Sequence, residues 1–341
     1  MKMDHIRYID KKRSSGKLKE VYNHIELNFG KIAEPFVIHS INSKLTAGVW
    51  AMLFETVLIE TEIKRSLKEA IATCISDINK CSYCVDAHSV MILGTEKKLQ
   101  SGISKIKKEN PELKSKEDKM ISWALNNLNF ESKIIQDPPF GEDEAAEIIG
   151  TAVLFHYINR LVTVFGGETP LPTLKMKTMV KLFAANFIFK KAIKRKKVKG
   201  ESLVFFDDNN GQSSFEWAAN NPEILIAFQY FKLNTEKNIG KILSTDLIMA
   251  LKKSTGDSDL LKPVPGRDNL DAFLHKIKPS ERRIAEFCFL IMYETYKIQD
   301  KHLNNLKETL TDEEILQVAV FVSMLVAESI GNKLFSNIKK R

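Results

Sequence analysis

The chain has 341 residues, 44% of them hydrophobic, which is enough for two domains with a sizeable core, and its 15 glycines and 10 prolines are few enough to favour helices. The net charge is +8, but Lys190, Lys191, Lys194, Arg195, Lys196, Lys197 and Lys199 hold seven positive charges with no acid among them, which leaves about +1 elsewhere; basicity this local reads as a solvated helix end and linker and argues against a nucleic-acid surface. Four cysteines make no disulfide framework in so long a chain, residues 1–5 lack a signal peptide's apolar region, and the apolar run 315–327 is too short to span a bilayer, so the expected setting is cytoplasmic with no membrane partner.

In chain order, a polar arm gives way after Ser14-Ser15-Gly16 to a helix over 17–29, with Leu18, Val21, Ile25 and Leu27 as its apolar positions. The run 45–59, containing Trp50 and Phe54, is almost wholly apolar and is expected to be covered on most sides. Leu67, Ala70, Ile71, Cys74, Ile75 and Ile78 recur at spacings of three and four, the pattern of an amphipathic helix. Asp77-Ile78-Asn79-Lys80 can end that helix and cap the next.

The stretch 69–88 places Glu69, Cys81, Cys84 and His88 in the spacing Glu-x11-Cys-x2-Cys-x3-His. On a helix from Cys81, Cys84 falls at i+3 and His88 at i+7, on one face with Val85, Met91 and Ile92. Glu69 lies opposite the Leu67-Ile71-Ile75 stripe, which in an isolated helix faces water, yet Ala72, Thr73 and Ser76 beside it are small enough for another helix to approach. This pattern resembles that of the carboxymuconolactone decarboxylase / alkylhydroperoxidase D-like family. The likeness extends upstream through Val21-Tyr22-Asn23-His24-Ile25, Phe29-Gly30, Trp50-Ala51-Met52 and Lys68-Glu69. It implies an all-α helical bundle whose Glu-Cys-Cys-His motif reduces peroxides.

Beyond the motif, Gly94 is a plausible stop, 97–116 is a charged connection with a short helix, and helices over 118–128 and 143–164 flank the breaker Asp137-Pro138-Pro139. His156, among apolar residues of the later helix, is a candidate to line the site, against the commoner case of a hydrogen-bonded interior histidine. The expected organisation is a catalytic domain over 1–169, a basic linker helix and loop over 170–210, and a diverged second copy over 211–341. Asn221-Pro222-Glu223 echoes Asn42-Ser43-Lys44, and Glu314-Ile315 with Val318 and Ala319 echoes Glu147-Ile148 with Thr151 and Ala152 at an offset of 167 residues; Thr311 and Glu314 form a capping box. Neither cysteine nor histidine occurs between Phe206 and Leu274, so the copy cannot carry the same chemistry; Cys288 reads as core. Its expected role is to fill the place of a second subunit in single-domain relatives.

An ordinary thiol of pKa ~8.5 is only about 3% ionised at neutral pH, and a helix N-terminus contributes just ~1 kcal/mol. The resemblance supplies what is missing: Cys84 attacks the peroxide, His88 accepts its proton, Glu69 relays it, and Cys81, at an exposed helix start, resolves the sulfenic acid as a Cys81–Cys84 disulfide. Tyr83 stands where relatives carry histidine and is either a phenolic donor or packing. The resemblance further implies no cofactor, a dithiol reductant protein of lipoyl or thioredoxin type, and a homo-oligomer such as a trimer. Competing readings are a decarboxylase-type lyase, which needs no cysteine pair, a Cys81-Cys84-His88-Glu69 metal site, and a non-catalytic helical oligomer.

Overall fold

A computed structural model of the chain describes residues 5–109, 112–166, 192, 194–207, 214–256 and 267–339. The first half contains α1 (Gly16–Phe29), α2 (Glu34–Ile38), α3 (Ser43–Leu53), α4 (Arg65–Ile78), α5 (Ser82–Thr95), α6 (Lys97–Glu109), α7 (Lys116–Leu125), α8 (Lys133–Gln136) and α9 (Glu142–Phe165). The second contains α10 (Pro222–Glu236), α11 (Ile239–Ile242), α12 (Thr245–Gly256), α13 (Arg267–His275), α14 (Arg282–Tyr293), α15 (Asp300–Lys307) and α16 (Asp312–Ile338). Among the described residues there is no strand, and the fold is an all-α bundle.

Two long apolar helices, α9 and α16, form the spine and, among the described residues, pack on each other more extensively than any other pair. By length and composition alone each could cross a membrane, but each is mostly buried within the protein. Gly331 permits their close approach, since a Cβ there would run into Val153. Gly48 does the same where α3 crosses α10, because its Cβ would sit 2.8 Å from the Phe231 ring. The capping box at the start of α16 is present: the Thr311 hydroxyl accepts from the Glu314 N–H at 3.2 Å, and the Glu314 carboxylate accepts from the Thr311 N–H at 2.8 Å. Asn42 and Asn221 both cap helices with their side-chain oxygens, in similar extended backbone conformations.

Helix α4 lies at the centre of the first half, against α5, α7 and α9, so every residue from Arg65 to Ser76 is buried. Lys68 locks it in place, donating to the Ile59 carbonyl and to Glu147 of α9, each at 2.5 Å. After α3 the chain widens into a π-helical turn, Phe54–Leu58, and Glu55 in that turn accepts from the Gly200 N–H at 3.0 Å and the Ser202 hydroxyl at 2.5 Å. Arg195 donates to Asn28 at 3.0 Å, and Lys17 and Lys44 pair with Asp207. Segment 194–207 is thus fastened onto the first half. Most of the linking helix expected over 174–197, and most of the loop expected over 207–211, lie outside the described residues. Lys194, Arg195, Lys196 and Lys199 are exposed as a solvated run should be, but Lys197 turns inward and is half-buried.

Candidate active site

Helices α4 and α5 are joined by a turn of three residues, Asn79 to Cys81. Lys80 adopts a left-handed conformation there, with φ 58°, and the Cys81 N–H bonds back to the Ser76 carbonyl at 2.9 Å. This reversal turns Cys81, the N-cap of α5, inward. The exposed helix start expected for Cys81 is therefore corrected: Cys81 is 3% exposed and Cys84 2%. Lys80 itself leans over the ring of Tyr296, 5.3 Å from its centre, so the second half borders the same turn.

The Cys81 and Cys84 sulfurs lie 2.7 Å apart and share a hydrogen bond, both as free thiols. Their electrostatic environments differ. The Cys84 thiol, as a hydrogen-bond donor, pulls the Cys81 pKa below its ordinary value; the Cys84 backbone N–H and the Asn159 side chain add to this against burial. Burial, and then the neighbouring Cys81 sulfur, push Cys84 well above its ordinary value. The two thiols of the pair are thus shifted in opposite directions, Cys81 down and Cys84 up.

Glu69 is fully buried beneath α5 and not in the water that its wheel position suggests. Its Oε2 lies 2.6 Å from Nδ1 of His88, and its Oε1 accepts from Nε of Arg65 at 3.2 Å. Burial alone would raise the Glu69 pKa, but the His88 hydrogen bond and charge, together with Arg65, bring it below the ordinary carboxylate value. The edge of Phe155 fixes the His88 ring at a centroid separation of 4.5 Å. His88 follows Cys84 by one helical turn, and among the described residues no hydrogen bond joins it to either sulfur.

His156 does not reach the sulfurs. It is a buried, neutral histidine whose pKa burial holds well below the ordinary value, set between Asn79 at 3.1 Å and Asn127 at 2.8 Å. Asn79 donates in turn to Asn159 at 2.9 Å, and Asn159 to Ser76 at 3.1 Å, so His156 holds the frame that presents Asn159 to the cysteines. The Tyr83 hydroxyl accepts from the Glu34 N–H at 3.3 Å and packs against α2. Asn159 and Arg65 are site residues that sequence reading passed over; a lone amide in an apolar helix, and a cation one turn before Glu69, were the available signals. Among the described residues no group of three or more His, Cys, Asp or Glu side chains is placed to hold a metal ion.

No family model matches the chain. It is 29% identical over 226 residues to the protein named alkyl hydroperoxide reductase Rv2159c of Mycobacterium tuberculosis, an alignment covering 66% of this chain and 64% of that relative. This likeness supports a relation to the alkylhydroperoxidase D-like family. The alignment spans less than two thirds of that relative's length. In this bundle α4 supplies Glu69, α5 with its N-cap supplies Cys81, Cys84 and His88, and α9 supplies the amide that faces the thiols.

Proposed function

We propose that the protein reduces organic hydroperoxides by cycling Cys81 and Cys84 between dithiol and disulfide, with Glu69 and His88 managing protons. The observation that carries this reading is the pair of sulfurs 2.7 Å apart, one favoured as thiolate, beside a buried carboxylate–imidazole pair.

The Cys81 thiolate attacks a peroxide oxygen; an S–O bond forms, the O–O bond breaks, and the alkoxide leaves and is protonated to the alcohol. Cys84 then attacks the sulfenic sulfur, giving a disulfide and water. With Glu69 ionised, Nδ1 of His88 carries the hydrogen and Nε2 is the nitrogen open to proton exchange with Cys84. A dithiol protein of lipoyl or thioredoxin type would return two electrons and two protons to the disulfide, in a reducing cytoplasm. We read the second half as a diverged copy that keeps the frame without the cysteines. That reading rests on the capped helices α3 and α10 packing together and on α9 packing with α16. Assembly as a homo-oligomer, such as a trimer, belongs to the same proposal.

Intact-mass measurement of the reduced protein before and after one equivalent of hydroperoxide tests it. The mass should fall by that of two hydrogens, and Cys81→Ser and Cys84→Ser should each abolish turnover. Unchanged thiols would reject the proposal, and a double serine variant with full activity would select the lyase reading.

A further inference from the structure

Arg65 opens α4 and is only 5% exposed. Its Nε is engaged by Glu69, but Nη1 and Nη2 are buried with no hydrogen-bond partner among the described residues. A guanidinium edge in this state offers parallel N–H groups at the spacing of a two-oxygen anion. Nearby charges leave that demand unmet. Lys68 is neutralised by Glu147 at 2.5 Å, and Glu69 is already divided between Arg65 and His88. Lys197 adds a second cation, held inward because its ammonium donates to the Arg195 carbonyl at 2.8 Å while Gly200 and Ser202 are fastened to Glu55. Both Arg65 and Glu69 act electrostatically on Lys197.

We propose that Arg65, assisted by Lys197, binds the carboxylate of an acid-bearing organic hydroperoxide and directs its peroxide group toward Cys81 and Cys84. The proposal rests on the peroxidase reading above and names the substrate class. Arg65 and Glu69 occupy successive turns of α4, Cys84 and His88 successive turns of α5, and the Glu69–His88 bond links the two helices. The backbone positions of Arg65 and Cys84 are therefore about two helical turns apart, roughly 11 Å, and that span sets the upper length of the substrate at an acid of about six carbons bearing its hydroperoxide at the far end. The carboxylate takes no part in electron transfer. The thiolate gains an oxygen, the peroxide is reduced to the hydroxy acid, and the carboxylate leaves as it entered.

The test compares hexanoic acid carrying a terminal hydroperoxide with its methyl ester, in single-turnover thiol oxidation by the full chain, alongside calorimetric binding of plain hexanoate to the reduced protein. The acid should react at least tenfold faster than the ester, and Lys197→Met and Arg65→Gln should shrink that ratio and weaken hexanoate binding. Lys197→Met, at a half-buried loop position, keeps the test valid if Arg65→Gln does not fold. Equal oxidation by acid and ester overturns the carboxylate site and leaves the peroxidase reading standing. Oxidation by neither, with hexanoate bound and the binding lost in Lys197→Met, rejects the peroxidase reading and supports the anion site. Equal binding of inorganic phosphate and hexanoate with no acid preference overturns the substrate assignment.

Discussion

Nδ1 of His88 lies 2.6 Å from Oε2 of Glu69, deep beneath α5, and this contact fixes which imidazole nitrogen can exchange a proton. An ionised carboxylate only accepts, so the bond is donated by Nδ1 and Nε2 is the nitrogen left to exchange a proton. Glu69→Gln removes the charge that stabilises an imidazolium. Single-turnover thiol oxidation by hydroperoxide should slow by about 100-fold, the scale of one acid–base group, with an unchanged far-ultraviolet spectrum. An unaltered rate would remove the pair from the mechanism.

The same carboxylate ties stability to acidity. The folded pKa of Glu69 lies below its ordinary value of 4.5, so through that interval the unfolded chain binds more protons than the folded one. Its stabilising contribution is complete above that ordinary value and is lost as pH falls through the folded one. Urea midpoints of the native protein should decline below pH 4.5 more steeply than those of Glu69→Gln. Parallel declines would mean that the pairing contributes nothing to stability.

The thiol order is open to a direct measurement. Cys84 is pushed up by burial, and Cys81 is pulled down by the Cys84 thiol, the Cys84 amide and Asn159. In Cys84→Ser a hydroxyl still donates to Cys81, whereas in Cys81→Ser the remaining thiol keeps the burial that is the largest cause of its raised pKa. Iodoacetamide at neutral pH should therefore alkylate Cys84→Ser about tenfold faster than Cys81→Ser, since each pKa unit is a factor of ten in thiolate near neutrality. Asn159→Leu should move the alkylation profile to higher pH. Faster reaction of Cys81→Ser would restore Cys84 as the attacking sulfur.

Lys68→Met tests how α4 is held. Lys68 is wholly buried and its ammonium sits 2.5 Å from Glu147, so its removal strands a carboxylate in the interior. Breaking a buried pair of this kind costs about 3 kcal/mol or more. A loss of that size in chemical denaturation is expected, with much of it recovered in the double variant Lys68→Met/Glu147→Gln. A single variant as stable as the native chain would show the pair to be dispensable.

The α4–α5 helix pair was legible from spacing, because apolar residues at intervals of three and four fix a helix face whatever surrounds it. Cys81 caps α5, with Cys84 and His88 one and two turns further along it, as their i, i+3 and i+7 positions require. What spacing could not supply was the second layer. A wheel for α4 alone puts Glu69 in water, and its full burial comes from the helices packed around α4. Cys81 looked exposed at a helix start because the inward turn depends on Lys80 at positive φ, a conformation without a sequence signal in lysine. Asn159 lies 80 residues from Asn79, and Lys197 was one cation in a run whose inward member is selected by the Glu55–Gly200 and Glu55–Ser202 bonds.

Lys197 also gives the carboxylate site a pH signature. Burial first, then the charges of Arg65 and Arg195, lower its pKa to about 8, with Glu69 and Glu201 opposing. A folded pKa below the ordinary 10.5 means that the charged form is disfavoured on folding, so this group's contribution to stability rises with pH between about 8 and 10.5. Anion binding runs the other way, because raising pH through about 8 discharges one of the two cations while Arg65 stays charged. The ratio of acid to ester oxidation rates should therefore fall about two- to tenfold on going from pH 7 to pH 9, the effect of one screened charge, ~1 kcal/mol. Taking a ratio cancels thiol ionisation, which is common to both substrates. Lys197→Arg should hold the ratio constant across the range, and Lys197→Met should hold it at the lower value. A native ratio that does not change with pH would take Lys197 out of the site and leave Arg65 alone to bind the carboxylate.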